Sequence, residues 1–115
     1  MDRLEAEVSF QGMKIFARIN HSALAAGTGL RLRPTELLIF GNPRAGTPLM
    51  ELNQTMGIDL PLKVLVWQDS AEKTWLTYND LCWLVNRHAV GFMTERSVDL
   101  MALSLEVLAR KVTEK

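Results

Sequence analysis

The chain has little from which to build a metal or redox centre. In 115 residues it holds one cysteine and two histidines. A lone Cys82 excludes an internal disulfide, which suits a reducing compartment. Its apolar neighbours Leu81 and Trp83 argue for a buried, inert thiol. His21 and His88 stand far apart with no spaced Cys or His pair beside them, so neither a zinc pattern nor another metal site is expected. No serine-triad motif is present. Charge of one sign is also missing: 13 Lys and Arg balance 13 Asp and Glu, leaving no net field to draw nucleic acid or an anionic membrane. No apolar run approaches the roughly 18 residues needed to cross a bilayer. The opening Met1-Asp2-Arg3-Leu4-Glu5 lacks the apolar segment of a signal peptide. These absences predict a cytoplasmic protein with no metal, no cofactor, no nucleic acid and no membrane partner.

What is present is an ordinary globular composition, 48% apolar and 23% charged, in a length that suits one domain over residues 1–115. The stretch from Glu36 to Pro61 organises the rest. Leu37, Leu38, Ile39 and Phe40 form an unbroken apolar run, the pattern of a strand covered on both faces. Gly41-Asn42-Pro43 stops it. Thr47 then offers an N-cap and Pro48 a first helical position, with Leu49, Leu52 and Met56 at helical spacing until Gly57.

The rest of the chain alternates helix and strand. Residues 2–11 read as a helix with Leu4 and Val8 on one face and Gly12 at its end. Met13, Ile15, Ala17 and Ile19 alternate with Lys14, Phe16, Arg18 and Asn20, the period of a strand with one face toward the core. Small residues dominate 21–33, predicting a loop or one helical turn before a short extended piece at 30–32. Two runs, 62–68 and 73–78, flank the polar Asp69-Ser70-Ala71-Glu72 as an antiparallel hairpin, in which Trp67 and Trp75 face each other. Asn79 or Asp80 caps a helix through His88, with Gly91 ending it. A last helix over about 98–113 carries two apolar stripes. Leu100, Leu103 and Val107 form one, and Met101, Leu105, Leu108 and Val112 the other. The arc is wide enough either to fill a groove in this fold or to offer its second stripe to another copy in a homodimer.

Chemistry is most expected where strand, glycine loop and helix start meet, because free amides and the helix dipole favour an anion there. Gly41 and Gly46 have the spacing of a phosphate-binding P-loop, but Thr47-Pro48 replaces its lysine and hydroxyl pair, excluding a nucleotide triphosphatase. A small molecule or small anion held by Asn42, Arg44 and Thr47 is the reading that survives, beside a purely structural turn. Tyr78 and Asn79 form a second polar group that belongs to the same site if they lie at the same sheet end. His21 is the one candidate acid or base, since an unperturbed imidazole titrates near neutral pH.

Several segments resemble the DUF302 family: Phe-Ala-Arg-Ile-Asn-His at 16–21, Leu-Arg-Pro-Thr at 32–35, Leu-Leu-Ile-Phe-Gly-Asn-Pro-Arg-Ala-Gly-Thr-Pro-Leu-Met at 37–50, Asp-Leu-Pro-Leu-Lys at 59–63 and Tyr-Asn-Asp at 78–80. The resemblance implies an α+β fold of the TT1751-like type, a two-layer sandwich of helices on a mostly antiparallel or mixed sheet. It implies no reaction, since the family name records an unknown function. His21, Asn42, Pro43, Thr47, Tyr78 and Asn79 are the positions that match its signature. Similar proteins begin with a strand ahead of the first helix. Its absence before Leu4 predicts an open sheet edge.

Overall fold

A computed structural model describes residues 1–88 and 95–113. Helix α1 (Asp2–Phe10) leads into strand β1 (Lys14–Asn20), helix α2 (His21–Ala26), strand β2 (Thr35–Gly41) and helix α3 (Pro43–Leu52). A short 3-10 helix (Gln54–Ile58), strands β3 (Leu62–Gln68) and β4 (Thr74–Tyr78), and helices α4 (Leu81–Arg87) and α5 (Glu95–Thr113) complete it. The strands form one antiparallel sheet in the order β1-β2-β3-β4. The fold is therefore α+β, and no strand precedes α1 among the described residues.

One layer of helices covers one face of the sheet. Leu38 and Phe40 of β2 and Leu62 and Val64 of β3 meet Leu4 and Val8 of α1, Leu49 of α3, Leu81, Leu84 and Val85 of α4, and Val98, Met101, Leu105 and Leu108 of α5. The stripe of α5 through Met101, Leu105 and Leu108 is thus spent inside the chain. Leu100 and Leu103 stay outside, 62% and 53% exposed. Leu37 and Ile39, the alternate residues of β2, lie on the uncovered face and take no part in this core. The unbroken apolar run of β2 thus marks a strand covered on one face only, with an apolar residue at each open-face position as well.

The alternation of β1 is interrupted. A register shift between Ile15 and Ala17 sets Ile15 opposite Phe40 but Ala17 opposite Ile39, so the strand changes faces at Phe16. Ile15 packs on the core, while Ala17 and Ile19 lie on the uncovered side. Arg18 is thereby turned under α1, where its guanidinium pairs with Asp2 at 2.9 Å, Glu5 at 3.4 Å and Glu36 at 2.6 Å. The hydrogen bond from Arg18 holds the Asp2 carboxyl below its ordinary range.

Two local readings change with the structure in view, at residues 21–32 and at Cys82, and the cap expected at Asn79 or Asp80 is found at Asp80. Residues 21–26 form a helix because the Asn20 side chain accepts the Ala23 amide, and no strand forms at 30–32. Cys82 is exposed rather than buried. Helical spacing points Leu81, Leu84 and Val85 inward and leaves positions 82 and 83 outside. Asp80 caps α4 by accepting the amides of Cys82 and Trp83, and the end predicted at Gly91 lies outside the described residues. The hairpin forms as expected, with Trp67 and Trp75 stacked at 6.2 Å between ring centres.

Its turn holds Glu72 at φ +63°, a left-handed conformation that costs a residue with a Cβ roughly 1 kcal/mol. Glu72→Gly is therefore expected to stabilise the protein by about 0.5–1 kcal/mol. Chemical denaturation should show a raised midpoint at unchanged slope.

Candidate functional site

The sheet end where β2 stops and α3 starts carries a cleft of 150 Å³. Phe16, Met50, Leu60, Leu62 and Met101 give it apolar walls, and Gly41, Asn42, Pro43, Gly46 and Thr47 run along its rim. The β-bulge supplies one wall, since the extra residue re-aims Phe16 toward this side. Gly46 keeps the rim low. A Cβ built there would stand 3.6 Å from Leu60 Cδ1, an ordinary contact, so the residue could grow only into the space of the cleft.

The helix start differs from the sequence expectation. Asn42, not Thr47, is the N-cap: its side chain accepts the Arg44 amide at 3.0 Å, and Pro43 occupies the first helical position. The chain carries two cap-and-proline pairs, Asn42-Pro43 and Thr47-Pro48, and the helix starts at the earlier, leaving Pro48 inside it. This decides the chemistry. The Ala45 and Gly46 amides bond the Asn42 carbonyl at 2.9 and 3.1 Å, Arg44 is bonded to the cap, and Pro43 has no N–H to give. An anion at this terminus finds its first-turn donors already used, so the geometry suits an apolar ligand with one or two polar contacts.

The other residues singled out from sequence lie around this cleft or away from it. Arg44 lines a neighbouring depression with Gln11, Met13, Ala45, Pro48, Leu100 and Ser104, with Asn42 on the wall between the two. Tyr78 pairs with Val64 near the start of β3, and Leu62 pairs with Phe40, so Tyr78 and Asn79 do share the sheet end of the cleft. They line a separate depression, with Asp80, Leu81, Ala102, Leu105 and Glu106. His21 follows the opposite end of β1. A strand of seven residues sets it roughly 20 Å from the cleft. The structure thus joins Asn42 and Thr47 at the cleft, sets Arg44 in the adjoining depression that Asn42 also lines, and keeps the Tyr78–Asn79 pair and His21 apart from them.

One polar cluster escapes the sequence reading. His88 is 8% exposed and stands at the C-cap of α4. Its Nε2 meets Asp59 Oδ2 at 2.6 Å and its Nδ1 meets Thr55 Oγ1 at 2.8 Å. A carboxylate only accepts, so Nε2–H donates to Asp59, while the Thr55 hydroxyl lies 2.8 Å from both His88 Nδ1 and Asn53 Oδ1 and has a single proton to share between them. Arg87 reaches the same carboxylate at 3.3 Å, and the Asn53 amide donates to the His88 carbonyl at 2.9 Å. The signal was the place of His88 in the buried row Leu81, Leu84, Val85, since a buried imidazole needs partners. What could not be read was that Thr55 and Asp59 supply them. Neither Thr55 nor His88 lines the cleft, and the cluster ties the 3-10 segment to α4. Among the described residues no group of His, Cys, Asp and Glu could hold a metal ion.

The pattern of the family described as "Domain of unknown function DUF302" matches residues 1–106. The crystal structure of an uncharacterized conserved DUF302 protein from Bacillus stearothermophilus superposes with a TM-score of 0.85 at 20% identity, covering 96% of this chain and 86% of that one. A protein of Brucella suis biovar 1 (strain 1330) named fluoride-specific ion channel FluC 1 is 45% identical over 101 residues, which is 88% of this chain and 40% of that protein. Its namesake in Brucella abortus biovar 1 (strain 9-941) shares the same identity over 37% of its length. The chain thus spans about two fifths of the curated relatives it matches.

Proposed function

The chain belongs to the DUF302 family, and within it we propose that this protein is a small-molecule binding domain whose ligand sits in the cleft at the start of α3. The observation that carries the reading is the make-up of the cleft: apolar walls with polar side chains, among the described residues, only at Asn42 and Thr47. Ligand sites are lined in this way, with a few polar groups fixing orientation. Two of the walls are Met50 and Met101, flexible and polarisable side chains that adapt to varied shapes. The volume falls below the roughly 300–1,000 Å³ of drug-sized sites, which sets the ligand at fragment size.

Gly46→Leu is the test. The new side chain fills the cleft while improving helix propensity by up to about 1 kcal/mol, so the fold is kept. Fragments that raise the melting temperature of the wild type should lose at least about tenfold in affinity for the variant. A fragment panel that binds both proteins equally would remove the cleft from the account.

The relatives add a second reading. They are named as fluoride channels, and no helix among the described residues here is long and apolar enough to cross a membrane. In this reading conduction belongs to the remainder of those relatives, and the domain acts beside a channel as its ligand-responsive part. Fluoride itself does not suit the cleft, whose rim amides are engaged. Fluoride titration should leave the melting temperature where an equal concentration of chloride leaves it, and a specific rise would overturn that view. A cytoplasmic setting fits the exposed, single Cys82. Self-association through α5 keeps only Leu100 and Leu103 as apolar anchors, few for an interface of standard size.

A further inference from the structure

The depression that holds Arg44 has a volume of 270 Å³, which the proposed function leaves unused. It shares Asn42, Leu62 and Met101 with the cleft of 150 Å³. Leu62 and Met101 are buried and give the two cavities a common apolar floor, whereas Asn42 is exposed and stands on the wall between them. Each cavity alone is smaller than a drug-sized site. Together they enter the roughly 300–1,000 Å³ range of such sites, so one ligand that crosses over Asn42 occupies a site of ordinary size.

The two halves differ in chemistry. Among the described residues no charged side chain lines the cleft, while Arg44 lines the depression with no acidic residue beside it. The guanidinium also has no ion-pair or hydrogen-bond partner among the described residues. Arg44 is the second residue of α3, where the helix dipole opposes a cation, and the first turn holds no acidic residue to offset it. A charge that breaks a local rule and gains no partner within the fold marks a position kept for another purpose. Further donors lie close by. Asn42 Oδ1 accepts the Arg44 amide, which leaves Nδ2 without a partner among the described residues, and the half-buried Ser104 hydroxyl of α5 is likewise unpaired among them. Glu7, to which Gln11 donates at 3.3 Å, does not line the depression and pairs with Lys111 at 3.8 Å.

We infer that the ligand is an amphiphilic carboxylate, with its apolar chain or ring in the cleft and its carboxylate beyond Asn42 on the Arg44 guanidinium. The inference rests on the cleft being a ligand site, and it adds the charge of the ligand and the direction in which it lies. One guanidinium balances one negative charge, and its fork matches the two oxygens of a carboxylate. A phosphate monoester, close to doubly charged at neutral pH, would leave much of its charge unmet. Side chains hold the anion. The Ala45 and Gly46 amides stay bonded to the Asn42 carbonyl and take no part. The floor suits the apolar half, since Met101 can shift its thioether to follow the chain from one cavity into the other.

Amide NMR titrations of the full chain with hexanoate, and with hexanamide as its uncharged counterpart of the same shape, test the inference because they read even weak affinities. The wild type should bind hexanoate about tenfold more tightly than hexanamide, the size of a charge-assisted pair. Hexanoate should shift Gln11, Arg44 and Ser104 as well as the cleft residues. Arg44→Gln should bring the two probes to the same affinity. Arg44 is exposed and its side chain has no bond to lose among the described residues, so this variant folds. Gly46→Leu should weaken both probes by at least about tenfold, because it fills the half that both share. Equal affinities in the wild type, a preference for hexanoate that survives Arg44→Gln, or no binding of hexanoate would each overturn the inference, with sensitivity of hexanamide to Gly46→Leu still upholding the cleft. Two probes that bind but ignore Gly46→Leu would remove the cleft and this inference with it.

Discussion

Phe40→Ala is expected to cost about 3–5 kcal/mol, a large share of the roughly 5–15 kcal/mol that holds a domain of this kind. Phe40 is fully buried and sits in β2, the strand that touches both β1 and β3, opposite Ile15 on one side and Leu62 on the other. Losing the ring leaves a void between the sheet and the helices that the strand cannot close without breaking its own pairing. Thermal unfolding should fall by on the order of 10–20 °C. Leu103→Ala, which removes an exposed side chain from α5, should stay within about 0.5 kcal/mol of wild type. A Phe40 variant that melted close to wild type would mean that the core is not where the packing places it.

His88→Ala is the second large effect, expected at about 1–3 kcal/mol, because it removes a buried ring and strips a hydrogen-bond donor from the half-buried Asp59 carboxylate. Asp59 keeps only 14% of its side-chain exposure and would retain the longer contact with Arg87 at 3.3 Å. The Thr55 hydroxyl would lose its contact with the ring and keep its bond to Asn53 Oδ1, 2.8 Å away. Asp59→Ala should cost a similar amount. The double variant should cost clearly less than the sum, since each single change removes the same contact. Additive losses measured by chemical denaturation would show that the 2.6 Å contact carries no energy of its own.

Which parts were legible follows from how local the physics is. The hairpin could be read because Asp69 through Glu72 make a polar connector between two strand-like runs, and the stacked tryptophans followed from pairing alone. Helix α4 could be read from the Asp80 cap and the spacing of Leu81, Leu84 and Val85. The start of α3 could not, because Asn42-Pro43 and Thr47-Pro48 satisfy the same rule and only the packed chain chooses between them. The bulge at Phe16 was hidden for a different reason: residues 13–20 keep a period of two in sequence, while the extra residue shifts which face that period serves. Strand order and the Thr55–His88–Asp59 contacts depend on residues about thirty apart meeting in space, which no local pattern encodes. At the candidate site, sequence located Asn42 and Thr47. It did not separate them from Arg44, Tyr78, Asn79 and His21, because shared polarity says nothing about shared position.

The cleft at the start of α3 is tested most directly by amide NMR of the isotopically labelled protein titrated with fragments that stabilise it. The account predicts shifts concentrated at Phe16, Asn42, Gly46 and Thr47, with His21, Tyr78 and Asn79 unmoved. Shifts gathered at Tyr78 and Asn79 or around His21, with residues 42–47 silent, would contradict it and move the binding site elsewhere on the fold.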